Sequence, residues 1–242
     1  MANVVKVSGL YRYPVQSVRG ESLADVRFDA AGIPGDRAFA IADLELGVVA
    51  HASRAKKNYR PLITWSARYL GDAGADAPII ELDFADGDSV RSDDAAIDRI
   101  ISDRLAMPAA LVRNGSGRVP KLYEPSHCHL LTTATLKRLG QEHGGGIFAP
   151  ERFRPNIMLD AGDAVGFLEQ DWIGSHVTIG GATFDVNDVC KRCALTTRAQ
   201  GGLPDDPGIL HATVANKTVA GVYGAVAKSG AVRIGDAVTV VE

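Results

Sequence analysis

Apolar and polar positions alternate over short stretches along most of this chain, and only a few segments carry helical spacing. Ser22-Leu-Ala-Asp-Val-Arg-Phe28 has the period of a half-buried strand. Val4 to Tyr13 and Ala38 to Ala42 are further strands, separated by the turn chemistry of Ala31-Gly-Ile-Pro-Gly-Asp36. Leu62 to Leu70 and Ile79 to Phe84 read as a hairpin around the loop Gly71 to Pro78. Ala95 to Leu105 puts Ile97, Ile100, Ile101 and Leu105 on one side of a helix that Asp93 or Asp94 would cap. Thr133 to Glu142 is a second helix, with Thr132 or Thr133 as cap. Ile157 to Asp160 and Val177 to Gly180 read as strands, and Gly180 to Asn187 as a turn entering another. Leu203-Pro-Asp-Asp-Pro207 opens a short helix near Ile209 to Val214. The stretches 220–227, 230–236 and 238–241 are short strands joined by tight turns. Many short strands and few helices favour a β-barrel with helices at its edges. The polar stretch Asn114 to Lys121 suggests a boundary, giving domains 1–115 and 116–242.

Composition narrows the class. With 46% hydrophobic residues among 242, the chain affords a sizeable core. Its formal charge of −3 gives no electrostatic case for nucleic acid as main partner. Three cysteines, few and odd in number, suit a reducing compartment better than a disulfide framework. No apolar run is long enough to span a membrane, and the N-terminus lacks the apolar core of a signal peptide, so the expectation is a cytoplasmic protein with no membrane partner.

Two of the three cysteines lie in Asp188-Val-Cys-Lys-Arg-Cys-Ala-Leu-Thr-Thr197. A thiol at a strand-to-loop junction beside Arg192, Thr196 and Thr197 is placed to bind something, because a cation favours the thiolate. Half a zinc site, a redox pair and ordinary packing are the competing readings. A zinc site needs four ligands, and beyond the pair the chain offers only Cys128 between His127 and His129. On a strand those two histidines share one face and Cys128 takes the other. Three more polar turns stand out: Arg152-Phe-Arg-Pro-Asn156, Pro34-Gly-Asp-Arg37 and Tyr13-Pro-Val-Gln-Ser-Val-Arg-Gly20. Arginine suits bidentate anion binding, and surface salt bridges are the alternative. Convergence of these turns with the cysteine loop on one anionic ligand would explain them all.

Together these residues resemble the MOSC family, the domain also found at the C-terminus of molybdenum cofactor sulfurases. The matching pieces are Tyr13-Pro-Val-Gln-Ser17, Gly32-Ile-Pro-Gly-Asp-Arg37, Arg152-Phe-Arg-Pro-Asn-Ile157, Cys190-Lys-Arg-Cys-Ala-Leu-Thr-Thr197, Leu203-Pro-Asp-Asp-Pro207, Gly221-Val-Tyr223 and Gly235-Asp236. The closest form is the two-domain one that includes the mitochondrial amidoxime-reducing component. The resemblance implies an α+β fold, mainly β: a MOSC β-barrel and a smaller N-terminal β-rich domain, with a molybdenum cofactor (molybdopterin) held between them. It maps the molybdenum ligand and catalytic residue to Cys193, with Cys190 second. It maps cofactor contacts to Ser17, Arg37, Thr132, Thr133, Arg154, Asn156, Arg192 and Thr196. Gln16 stands where the family usually has Lys, and Val18 where many relatives have Cys.

The implied function is reduction of N-hydroxylated compounds or S-oxides, a small-molecule substrate, with electrons from a separate donor protein. The chain carries no cysteine set for an iron–sulfur cluster, and no flavin is expected. Asp188 and His51 are candidate general bases. The rival is a carrier or sulfur-transfer protein using Cys193, and the third reading is a zinc-dependent fold without redox chemistry.

Overall fold

The computed structural model describes residues 4–114, 116 and 128–241. The boundary expected at 115/116 and the histidine His127 fall at or beyond the edge of the described residues. The chain forms two compact units, each assembled from separated segments. One comprises Met1–Tyr11, Ser22–Pro34 and Pro125–Glu242; the other comprises Arg12–Glu21 and Gly35–Glu124. The fold is α+β and mostly strand, with curled sheets. Among the described residues no helix is long and apolar enough to cross a membrane.

The first unit is built on an eight-stranded sheet. In spatial order its strands are Val238–Val241, His176–Ile179, Ala182–Lys191, Val219–Lys228, Cys128–Thr132, Ile157–Asp160, Lys6–Arg12 and Glu21–Leu23. Lys6 also bridges Ala237, and the amide of Val7 donates to the carbonyl of Asp236, so the sheet curls back on itself. Curling of this kind shortens the exposed edges that would otherwise invite pairing with another chain. Cys128–Thr132 and Ile157–Asp160 are parallel, and the helix Thr133–His143 lies in the connection between them. Parallel neighbours need such a crossover.

The crossover explains why Cys128–Thr132 is buried at every position. Leu130, Ile157, Leu159 and Val222 pack into the main core with Phe28 and Phe184, whose rings meet edge to face at 4.9 Å. Leu131, Met158 and Ala220 pack into a second core with Leu139, Phe153 and Ile209. Thr132 caps the helix by accepting from the amide of Thr135 at 3.2 Å.

The second unit holds two three-stranded sheets, Val48–Val49 with Phe39–Asp43 and Ala109–Arg113, and Ser66–Tyr69 with Ile80–Asp83 and Ser89–Arg91. The hairpin around residues 71–78 forms as expected, but its first arm starts late. Lys57–Thr64 is a 3₁₀ helix that buries Tyr59, Leu62 and Ile63. Adjacent Leu62 and Ile63 bury together on a helical turn, whereas a strand would send them to opposite faces. The helix Ile97–Leu105 buries Ile97, Ile101 and Leu105, and Asp94 accepts from the amide of Ala96 rather than capping directly.

Asp43 is the polar anchor of this unit. Its carboxylate is fully buried at the end of the Phe39–Asp43 strand. It accepts from Lys56 Nζ, from Tyr59 Oη at 2.7 Å, and from the amides of Glu45 and Leu46 at 3.0 Å each. Burial pushes its pKa up, but these donors more than reverse that and bring it down to about 2. Burial, and then the same pairing with Asp43, raises Tyr59 to about 12. The folded pKa lies below the unfolded value, so this stabilisation is complete above about pH 4 and lost as pH falls towards about 2. Asp43→Ala is expected to lower unfolding free energy by about 2–3 kcal/mol at neutral pH. In denaturant titrations the difference from the parent chain should shrink through that acid window.

Candidate functional site

The strand Ala182–Lys191 delivers the cysteine loop. Its pairing with Val219–Lys228 is interrupted between Val186 and Asp188 and again between Val189 and Lys191. Such irregularities bend a strand and re-aim its side chains, and they recur beside functional sites. The strand runs through Arg192 and Cys193 into one 3₁₀ turn, Ala194–Thr197. Cys190 is buried, whereas Cys193, in extended backbone at the head of the turn, is exposed. Cys128 is buried as well, so Cys193 is the exposed thiol of the three.

The threonines after Cys193 close this turn. Thr196 Oγ1 donates to the carbonyl of Cys193 at 3.0 Å, and Thr197 Oγ1 to that of Ala194 at 2.8 Å. Thr196 is fully buried, and its hydroxyl proton goes to its own loop. A guanidinium of the polar turn 152–156, not among the expected cofactor contacts, holds the loop. Arg152 is completely buried and donates to the carbonyls of Ile147, Thr196, Arg198 and Pro204 at 2.7–3.3 Å. It fastens both ends of the 196–204 segment to the helix Pro150–Phe153.

Arg192 turns inward. Its Nη1 donates to Cys190 Sγ at 2.6 Å and its Nη2 to the carbonyl of Phe153 at 2.7 Å, and its amide donates to the carbonyl of Thr218. Burial alone would raise the Cys190 pKa. The charge of Arg192, then His129 and Tyr223, more than reverse this and bring the thiol down to about 6. His129 comes from the Cys128–Thr132 strand and is buried, its ring 5.6 Å from that of Tyr223. Gly221 makes room for it: a Cβ there would lie 2.2 Å from His129 Nε2, and its φ of +87° suits only glycine well.

Arg154 and Asn156 flank this cluster. Arg154 ends its short helix in the left-handed region, φ 55°, and its carbonyl lies 3.3 Å from His129 Nδ1. Asn156 works as a clamp between strands. Its side chain accepts from the amide of His129 at 3.1 Å and donates to the carbonyl of Tyr11 at 3.3 Å. Thr132 and Thr133 have local tasks. Thr132 donates to buried Glu169 at 2.5 Å, as Thr135 does at 2.7 Å, and burial raises the Glu169 pKa. Thr133 accepts from the amide of Ala161. No sequence pattern marks Glu169.

In the second unit, Ser17 is buried with φ 66°, and its Oγ accepts from the amide of Ala52 at 3.3 Å. Arg37, φ 50°, ion-pairs with Asp36 and lies 4.8 Å over the Tyr13 ring. Gln16 is buried, and among the described residues its Oε1 has no hydrogen-bond partner. That oxygen can take an N–H or O–H donor but not a bare phosphate oxygen. Of the six described non-glycine residues with positive φ, three are Ser17, Arg37 and Arg154, and Thr218 is a fourth that holds Arg192. Backbone strain of this kind clusters where side chains must be held for function. Of the suggested general bases, His51 accepts locally from Ser53, and Asp188 bonds the next amide. Among the described residues no three His, Cys, Asp or Glu side chains cluster as a metal site. A metal on Cys193 therefore needs ligands beyond such a cluster.

Arg152→Met should release the carbonyls of Thr196, Arg198 and Pro204 together. Removing donors from buried carbonyls costs about 1–3 kcal/mol each at most. Amide hydrogen exchange should rise most across 194–205 and little in the strands of the barrel. Uniform loss of protection, or none, would contradict this role.

Two family models match the chain: the MOSC N-terminal beta barrel domain over residues 4–59 and the MOSC domain over residues 122–239. Among solved structures, the chain is similar to the YuaD protein from Bacillus subtilis, with 15% identity, 98% of this chain and 95% of that chain covered, and a TM-score of 0.52. It also matches YiiM from Geobacillus stearothermophilus at 20% identity over 48% of this chain and 54% of that one, with a TM-score of 0.37. At such identities the likeness to YuaD is one of fold. No curated protein matches the chain. The two domain matches, over residues 4–59 and 122–239, show that the chain belongs to the MOSC family, in its two-domain form.

Proposed function

We propose that this chain binds a molybdenum cofactor through Cys193 and reduces N-hydroxylated compounds or S-oxides with electrons from a separate protein. MOSC domains are associated with molybdenum cofactor binding in general. The observation that carries the proposal here is the selective exposure of Cys193. Cys128 and Cys190 are buried, while Cys193 stands at the surface end of a loop that Arg152 fastens. Thiolate is a soft ligand suited to a metal already carrying sulfur donors, so the donor chemistry fits the group.

Bound there, the molybdenum centre would supply the two-electron removal of oxygen from the substrate. The chain's own part is to present and hold. Cys193 offers the ligating sulfur. The Thr196 and Thr197 hydroxyls and the Arg152 guanidinium keep its turn from reorganising. Arg154, Ser17 and Arg37 sit at strained backbone positions, as contacts to a bound group often do. Thr132, Thr133, Asn156 and Arg192 spend hydrogen-bonding atoms on the protein itself. Asn156 and Arg192 thereby set the positions of His129 and Cys190.

The test uses protein made in a host that synthesises the cofactor. Molybdenum and pterin should co-purify in near-stoichiometric amount with the parent chain. Cys193→Ser should lose the metal, and with it turnover of an amidoxime driven by an artificial low-potential reductant. NADH as sole donor should give no turnover, because no dinucleotide-binding fingerprint follows any strand. Metal bound without turnover of any N-hydroxylated compound or S-oxide would favour a carrier. Full metal content in Cys193→Ser would refute the ligand assignment.

A further inference from the structure

We propose that Cys190 is a positioning residue for Cys193: it stands as a thiolate, binds the Arg192 guanidinium, and so holds the turn that presents the neighbouring thiol. The proposal takes Cys193 as the functional sulfur, as above, but its first test does not depend on molybdenum.

The argument begins with charge balance. The Arg192 side chain points into the protein, with Nη1 2.6 Å from Cys190 Sγ and Nη2 on the carbonyl of Phe153, and its buried Nε has no partner among the described residues. A guanidinium taken out of water needs a counter-charge. Among the described residues no Asp or Glu forms an ion pair with Arg192; the groups facing it are first the sulfur of Cys190, at 2.6 Å, and then Tyr223 and Cys193. The groups facing that sulfur are all able to donate: Arg192 from its own loop, His129 from the Cys128–Thr132 strand and Tyr223 from the Val219–Lys228 strand. A neutral thiol would leave the guanidinium without the anion nearest to it and give its Nη1 a weak acceptor. A thiolate satisfies both.

The mechanical consequence follows from connectivity. Cys190 is held by three donors, the Arg192 side chain by Cys190 and Phe153, and the Arg192 amide by the carbonyl of Thr218. The next residue is Cys193. The pair thus helps to set the direction of its peptide on the N-terminal side, together with the main-chain bond from Arg192 to Thr218. On the C-terminal side the Arg152 contacts do the same work.

The experiment compares Cys193→Ser with Cys193→Ser/Cys190→Ser at neutral pH. The ultraviolet absorption band of a thiolate should be present in the first and absent in the second. No difference overturns the proposal, whatever the metal content of the parent protein. Positioning is then read on Cys193 itself, as its rate of modification by an aromatic disulfide in the metal-free chain. Cys190→Ser should change that rate severalfold, and Cys190→Asp, which restores an anion beside Arg192, should return it towards the parent value. An unchanged rate in Cys190→Ser, or equal rates in the Ser and Asp variants, overturns the positioning role. In protein that carries the cofactor, Cys190→Ser should weaken molybdenum retention by about 10–100-fold, the usual effect of removing a group that orients a metal ligand. Absence of molybdenum from the parent chain would count against the proposed function alone, because the thiolate and modification measurements stand apart from it. Should Cys190→Ser fail to fold, Cys190→Leu/Arg192→Met removes both charges together, which a core tolerates better. The same change in Cys193 modification is expected there, and an unchanged rate again overturns the proposal.

Discussion

The grip of one buried guanidinium on main-chain carbonyls governs the shape of the cysteine loop. Arg152 has no side chain to itself as partner; its donors go to the carbonyls of Ile147, Thr196, Arg198 and Pro204. A loop that runs from Cys193 to Pro207 with only short helical turns would otherwise hold many unpaired carbonyls close to the protein interior. Arginine is suited to this because its planar fork carries five donors in fixed directions and keeps its charge when buried. Asp206 and Asp205 oppose the effect of burial on it at longer range.

The same economy recurs around the site. Asn156 spends its amide on the backbone of two strands, Thr132 spends its hydroxyl on Glu169 and a helix amide, and Thr196 closes its own turn. These side chains look like ligand contacts in a sequence because they are polar and sit in turns. In the fold they make rigid the few groups that remain outward. Cys193 is the clearest of those.

Much of this was legible beforehand, and the exceptions have physical reasons. The strands, both helices and the barrel class follow from alternation and cap chemistry, as at Thr132. The stretch 62–70 misled because Leu62 and Ile63 share the buried side of a 3₁₀ turn. The cysteine loop stood out for its residue types, yet type does not give direction. Arg192 beside a threonine pair suggests an anion site, whereas the Cys190 sulfur claims its side chain. Arg152 and Arg154 are two residues apart in one motif, and only the backbone reversal at Arg154 shows how differently they are placed. Glu169 carried no signal because its partners are hydroxyls far away in sequence.

The way the sheet closes bears on how the chain reaches its native state. Lys6–Arg12 pairs with Ile157–Asp160, and Lys6 bridges Ala237. Its partners are thus separated from it by most of the chain, and the second unit is inserted between them. Contacts of such long sequence separation form slowly, since a large loop must be ordered before they yield anything. During synthesis the apolar face of Lys6–Arg12, with Val7 and Leu10, has to wait for Ile157–Asp160 and Ala237, which are made after the second unit. The barrel that carries Cys193 is therefore a late product of folding, and the second unit, whose own two segments lie closer together, is free to form first.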